Sequence, residues 1–270
     1  ELVWPYFTLS IIKLIWFIFI NRSSKSAIKF LIAFLYSNYI FDTNLIGAVW
    51  FLLCLFIVEI LYFIISKNKS NKFKNILISV FLSIGIIFAE IIKIRYFRLP
   101  FWTDIALFGI FFYHIGYLSQ KYKNKIFLSI QQKVGLLFLT FFLNILAIYL
   151  NYSSCYAEPF NGRPDMLYLH FGNYIFFTIS ALSGIYFWLT ISVLIKQNIL
   201  LETFGKNTLI IMGLHIIILQ FLQTVLSKLG IPSNIFITSM LFLTVTFGSL
   251  ICSLVIKKYF PFIIKLKYKN

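Results

Sequence analysis

Charge is scarce in this chain of 270 residues: Asp, Glu, Lys and Arg together make up 12% of it. A soluble domain of that length needs far more polar surface to cover its core, so a water-soluble fold is excluded. Acidic residues are scarcer still, eight against 24 Lys and Arg. In a soluble protein that imbalance would point to nucleic acid. Here the basic residues fall in short segments between apolar runs, where they orient helices and meet anionic headgroups, and nucleic acid is not an expected partner. Three cysteines are too few for a disulfide framework. Cys54 and Cys252 fall inside apolar runs and read as packing residues, and Cys155 reads as an incidental loop thiol. There is no CxxC motif or Cys/His cluster, hence no expected metal. The absence of a phosphate-binding G-x-x-x-x-G-K-[ST] loop, of H-E-x-x-H and of G-x-S-x-G argues against nucleotide hydrolysis, zinc proteolysis and a serine-hydrolase elbow.

What fills the chain instead is apolar sequence, 60% of all residues, in runs of about twenty that match the hydrocarbon thickness as helices. The expected fold is an all-α, polytopic membrane helical bundle, a single domain over residues 1–270. Eight spans are predicted, at 4–20, 45–65, 76–92, 103–120, 134–150, 175–195, 207–224 and 235–256. The apolar segment 30–41 is too short to cross alone and reads as interfacial or re-entrant.

Lys and Arg set the expected orientation. Lys67, Lys69, Lys72 and Lys74 crowd one loop, and Lys121, Lys123, Lys125 and Lys133 another. With Lys196, Lys206 and five lysines after residue 256, this set of loops holds 15 positive charges against eight for the alternate set. Both ends of the chain are therefore expected in the cytoplasm, and the longest loop, 151–174, outside.

A charge inside a span needs a reason. Lys13 either snorkels to the interface or pairs with a neighbouring helix. Glu59, His114 and His215 each lie roughly 9–12 Å below the cytoplasmic boundary at 1.5 Å per residue. Three ionisable groups at one depth on three helices would line a cavity open to the cytosol, and histidine is the residue type suited to a general base there. The alternative for each histidine is a hydrogen-bonded packing residue between helices. A second layer near the outer face holds Glu90, Arg95, Arg98, Asp104, Trp50 and Trp102. Charged groups beside aromatic rings suit a hydroxyl-rich ligand such as a sugar. Trp102 reads rather as part of an interfacial aromatic belt.

Five stretches taken together resemble one family. They are ELVWPYF at 1–7, GAVWFLLCLFIVEILYFII at 47–65, LPFWTDIALFGIFFYHIGYL at 99–118, PDMLYLHFGNYIFFTISALSGI at 164–185 and FGKNTLIIMGLHIIIL at 204–219. Their order and spacing resemble the membrane-bound acyltransferases of the acyltransferase-3 type, especially the branch similar to fucose 4-O-acetylases. The family pattern is ten spans with both termini in the cytoplasm, and eight spans starting at the third fit the charge count.

The resemblance implies an O-acetyltransferase of the cell membrane with acetyl-CoA as donor substrate, no bound cofactor, and a cell-surface or exported carbohydrate as acceptor. Among the family's motif positions Trp50, Asp104, Asn207 and His215 carry over. The expected roles are His215 catalytic; Trp50, Arg98, Asp104 and Asn207 substrate-binding; and Glu59 and His114 cavity-lining. The family's principal histidine lies on its first span, which would precede residue 1. Because residue 1 is Glu and not Met, the chain is expected to begin inside a larger protein and, alone, to be inactive or nearly so. The competing reading is a flippase or exporter of polysaccharide units without enzymatic activity. Such carriers often show matching halves with broken helices, and this sequence has no such symmetry.

Overall fold

A computed structural model describes residues 3–21, 49–67, 70–95, 98–122, 129–156, 161–195, 197–230 and 234–261. The segment 30–41 lies outside the described residues. Among the described residues eight α-helices follow in chain order: α1 (Val3–Asn21), α2 (Trp50–Ser66), α3 (Asn71–Arg95), α4 (Thr103–Tyr122), α5 (Ile130–Tyr152), α6 (Tyr174–Leu194), α7 (Ile199–Lys228) and α8 (Ile235–Tyr259). Each coincides with one of the eight spans expected from the sequence. Six of them, α3 to α8, are long and apolar enough to cross a hydrocarbon core.

The helices begin where a polar side chain can satisfy the first free N–H groups. Ser129 and Gln132 form a reciprocal capping box at the start of α5: Gln132 N–H donates to Ser129 Oγ at 3.2 Å and Ser129 N–H to Gln132 Oε1 at 2.8 Å. Asn173 and Asn234 cap α6 and α8 through their side-chain oxygens. Gly230, at φ +67°, turns the chain left-handed just past the end of α7.

Much of the helix surface, above all that of α5, is not covered by protein. In the most apolar stretch of α7 just 17% of the residues are buried, and Phe236 and Phe242 of α8 are among the exposed aromatics. In water such a surface would aggregate; in a bilayer it is the wetted face. This is a membrane protein whose buried residues are mostly apolar, with small and polar ones such as Ser183, Thr190, Ser249 and Ser253 among them.

Packing groups the chain into two compact units. The first holds α1, α2, the start of α3, residues 96–107, α7 and α8. There α7 presents Asn207, Ile210, Gly213 and Leu214 inward, and α8 presents Val245, Ser249 and Ser253 at four-residue spacing. The second unit holds the rest of α3, α4 from Phe108 onward, α5, the connection to α6, and α6. Between α5 and α6, Asn144 Nδ2 donates to the Ser180 carbonyl at 2.7 Å, and between α4 and α6 the hydroxyls of Ser119 and Tyr186 meet at 2.6 Å. Interhelical hydrogen bonds of this kind satisfy polar groups that lipid cannot.

Candidate functional site

In the first unit the chain approaches α4 through a strained turn. Leu99 is extended, as a residue before proline should be, and Pro100 opens a short 3₁₀ turn. Phe101 and Trp102 then both adopt φ +58°. Left-handed backbone is costly for any side chain with a Cβ and persists where surrounding contacts enforce it. Thr103 Oγ1 donates to the Pro100 carbonyl at 2.7 Å and closes the turn.

The enforcing contacts are ionic. Arg98 Nε donates to Asp104 Oδ2 across the turn, and the two side chains are 3% and 0% exposed. The other Asp104 oxygen accepts from the Ile105 N–H at 2.9 Å, in the first turn of α4, where free N–H groups and the helix dipole favour an anion. The Arg98 guanidinium sits 5.5 Å from the Trp102 ring, and Trp102 sits 5.8 Å from Trp50. Trp102 is 2% exposed, so it is a buried residue and not part of an interfacial belt. The sequence misleads because an aromatic next to a proline and a charge looks like a headgroup anchor. Burial here comes from the left-handed turn, which local composition does not reveal. Trp102 Nε1 has no hydrogen-bond partner among the described residues. Trp50, far away in sequence, is thus brought to Arg98 and Asp104 around Trp102.

His215 lies elsewhere in the same unit. It is half-buried on α7 and lines a groove of about 880 Å³ whose walls, among the described residues, come from α7 and α8. His215 Nδ1 lies 3.1 Å from the Ile211 carbonyl one turn earlier. A carbonyl can only accept, so Nδ1 carries the proton, and in the neutral ring Nε2 holds a lone pair. Asn207, two turns earlier, is 3% exposed. It donates from Nδ2 to the Thr203 carbonyl at 2.6 Å, while its Oδ1 has no partner among the described residues.

Glu59 and His114 do not join His215 in this groove. Glu59 stands exposed on α2 beside Ile60, and His114, in the second unit, is half-buried on α4 with its ring parallel to that of Tyr117 at 6.5 Å. Counting residues along a span gives the depth of a side chain but not the direction it faces, and Glu59 sits about 100° around the helix from the buried Val58.

The second unit has its own ordered constellation at the loop between α5 and α6. Asn151 Nδ2 donates to the Phe171 carbonyl at 3.0 Å and its Oδ1 accepts from the Asn173 N–H at 2.7 Å. Asp165 and His170 exchange two backbone hydrogen bonds around a tight turn, with Leu169 left-handed at φ +54°. Phe171 stacks on Phe108 at 4.4 Å between centroids, and Tyr174 donates to Glu90 at 2.5 Å. Cys155, expected as a loop thiol, is fully buried here, whereas Cys252 is exposed on α8. The loop is folded on itself, so its one thiol is covered. Asn151 and Tyr174 were not singled out from the sequence; the spacing of Asn151 and Asn173 at the two ends of the loop was the available signal.

Gly172 makes that fold testable. Its φ is +66°, and a Cβ there would collide with Cys155 Sγ and Asn151 Oδ1. Gly172→Ala is expected to destabilise the loop by about 1–3 kcal/mol. The check is maleimide labelling of Cys155 in purified protein, which should be slow in the parent and much faster in the variant; equal rates would show the loop is not closed over the thiol.

The sequence family described as an acyltransferase domain, of the acyltransferase-3 type, matches residues 2–258. The chain belongs to this acyltransferase family. Neither a curated protein nor a solved structure matches it. A membrane acyltransferase joins an acyl donor to an acceptor, and such chemistry needs a base for the acceptor proton and a fixed place for the acyl carbonyl. In this acyltransferase His215 Nδ1 faces the Ile211 carbonyl, and Trp50, Trp102, Arg98 and Asp104 pack against one another.

Proposed function

We propose that the protein transfers an acetyl group from acetyl-CoA to a hydroxyl of a cell-surface or exported carbohydrate, as an O-acetyltransferase of the cell membrane. The observation that supports this reading best is the His215 ring, tied at Nδ1 to the Ile211 carbonyl and lining a groove. In the reaction Nε2 takes the proton of the acceptor hydroxyl as its oxygen attacks the thioester carbonyl. The carbonyl carbon–sulfur bond then breaks, and the departing CoA thiolate recovers that proton from the imidazolium. Acetyl ester and free CoA are the products, and atoms and charge balance.

The acceptor side falls to the aromatic wall. Trp50 offers a ring face to a sugar, held in place by Trp102. Arg98 and Asp104 pair with each other and fix the wall's shape, while Asn207 Oδ1 is buried without a partner among the described residues. The test is to follow radiolabelled acetyl from acetyl-CoA into glycan in membranes containing the protein. Transfer that needs the protein is the expected result; no transfer over a range of glycans would sink the proposal.

The reading also places both chain ends in the cytoplasm and the α5–α6 loop outside. In a background with the exposed Cys252 replaced by Ser, a cysteine in place of the exposed Arg163 is expected to react with a membrane-impermeant maleimide in intact cells. One in place of the exposed Lys72 should react after lysis. The reverse pattern would overturn the orientation.

A further inference from the structure

We propose that the groove between α7 and α8 is a slot for the hydrocarbon chain of an acyl donor, so that the site accepts acyl groups longer than acetyl. This rests on the reading of His215 as the base. The first argument is size: about 880 Å³ is at the upper end of pockets that enclose drug-sized ligands and far exceeds what two carbons fill.

The second argument is the chemistry of the wall. Ile211, Met212, Leu219, Leu226, Leu241 and Val245 supply its apolar surface. Several hydroxyls also line it, and most donate to carbonyls of their own helices. Thr208 donates to the Phe204 carbonyl at 3.0 Å, Thr246 to that of Phe242 at 2.7 Å, and Ser227 to that of Thr224 at 2.9 Å. A sugar laid along this groove beyond His215 would lose water from each hydroxyl and find few partners, at a cost for every one. A hydrocarbon chain loses nothing.

The third argument is order along the groove. At one end the first turns of α7 and the last turn of α8 bring Lys206 and Lys257 together, with Lys258 next in sequence: Lys257 Nζ donates to the Lys206 carbonyl at 2.6 Å. Glu202 is the acidic group beside them, paired with Lys206. His215 lies about 13 Å further along α7, and Ser227, at the far end of the groove, about 18 Å beyond His215. An acyl-CoA has the same order: anionic phosphates, a long flexible arm, the thioester, then the chain. The phosphates complement the lysines, the thioester falls at His215, and the chain runs on toward Leu226 and Ser227. An ordinary bilayer lipid would also wet the apolar wall, so the experiment must separate the two.

The probe is dodecanoyl-CoA carrying a photoreactive diazirine at the end of its chain, added to purified protein in lipid nanodiscs. Cross-links are expected on α7 beyond Leu219 and on α8 between Thr238 and Val245, reduced by about tenfold or more by excess unlabelled dodecanoyl-CoA. Leu241→Trp, which fills the slot, should lower labelling to a similar extent. Leu243→Trp, on an exposed face of α8 outside the lining, should not. Labelling that is not competed, or that spreads over exposed apolar helix faces such as that of α5, would show a bilayer lipid there and overturn the slot. His215→Ala keeps the two readings apart. If chain labelling persists while acetyl transfer is lost, the slot and the base both stand. If no competed labelling is found in a parent protein that still transfers acetyl through His215, the slot falls alone.

Discussion

Replacing His215 with Ala is expected to lower acetyl transfer by roughly 10²–10⁴-fold, the range for loss of a positioned general base. The fold should survive. His215 is half-buried, and its one hydrogen bond runs to a carbonyl of its own helix, Ile211, so its removal strands no group on another element. Alanine is also a better helix former than histidine. His215→Gln is the sharper companion, since glutamine keeps a polar side chain of similar reach but has no basic nitrogen at neutral pH. Both variants should therefore lose rate with little change in thermal unfolding, and with donor binding retained. A variant that keeps most of its rate would remove His215 from the chemistry. One that unfolds would assign it to packing.

The largest loss of stability is expected at the buried ion pair. In Asp104→Ala the Arg98 guanidinium, buried against Trp102, loses the carboxylate it donates to, and Ile105 N–H loses its side-chain acceptor. Breaking a buried pair by removing one partner costs about 3–5 kcal/mol. Arg98→Ala should cost a similar amount through the unpaired carboxylate, softened by the helix N-terminus on which Asp104 sits. The pair itself need not be stabilising, because both charges were desolvated to make it. Replacing the two together by leucine should recover much of the loss. Thermal unfolding of the two single variants and the double in one detergent gives the coupling directly. Losses that simply add would mean that the two side chains act independently, and the left-handed turn at Phe101 and Trp102 would need another explanation.

The membrane helices were legible because a span must be apolar for about twenty residues, and little else in a chain looks like that. For α6 the expected range, 175–195, is one residue from the observed Tyr174–Leu194. The ends were less legible where helices continue past their apolar part. The sequence reading starts the seventh span at 207, after the charged Glu202 and Lys206, yet α7 begins at Ile199. The two residues pair at four-residue spacing on the exposed surface, which helical geometry favours, so charge marks the edge of the hydrocarbon and not the end of the helix. The same holds for α3, which starts at Asn71 and carries Lys72 and Lys74 in its first turn.

The site was legible in parts for equally physical reasons. His215 was singled out because an ionisable group in a span is costly, and Arg98 and Asp104 because charge near aromatic rings suggests a polar contact. What the sequence hides is direction. Depth alone put Glu59 level with His215, but Glu59 faces outward from α2. Trp102 and Cys155 are buried by turns of unusual backbone, at Phe101 and Trp102 in one case and at Gly172 in the other. A composition rule sees an interfacial tryptophan and a loop thiol, and the left-handed residues that cover them lie outside its reach.

One measurement bears most directly on acetyl transfer through His215. Purified protein in lipid nanodiscs is mixed with acetyl-CoA and an oligosaccharide, and free CoA and acetyl ester on the sugar are quantified together. The expected result is one CoA released for each ester formed, with both lost in His215→Ala. Ester formation that continues undiminished in His215→Ala, or CoA release that no sugar accelerates, would contradict the account.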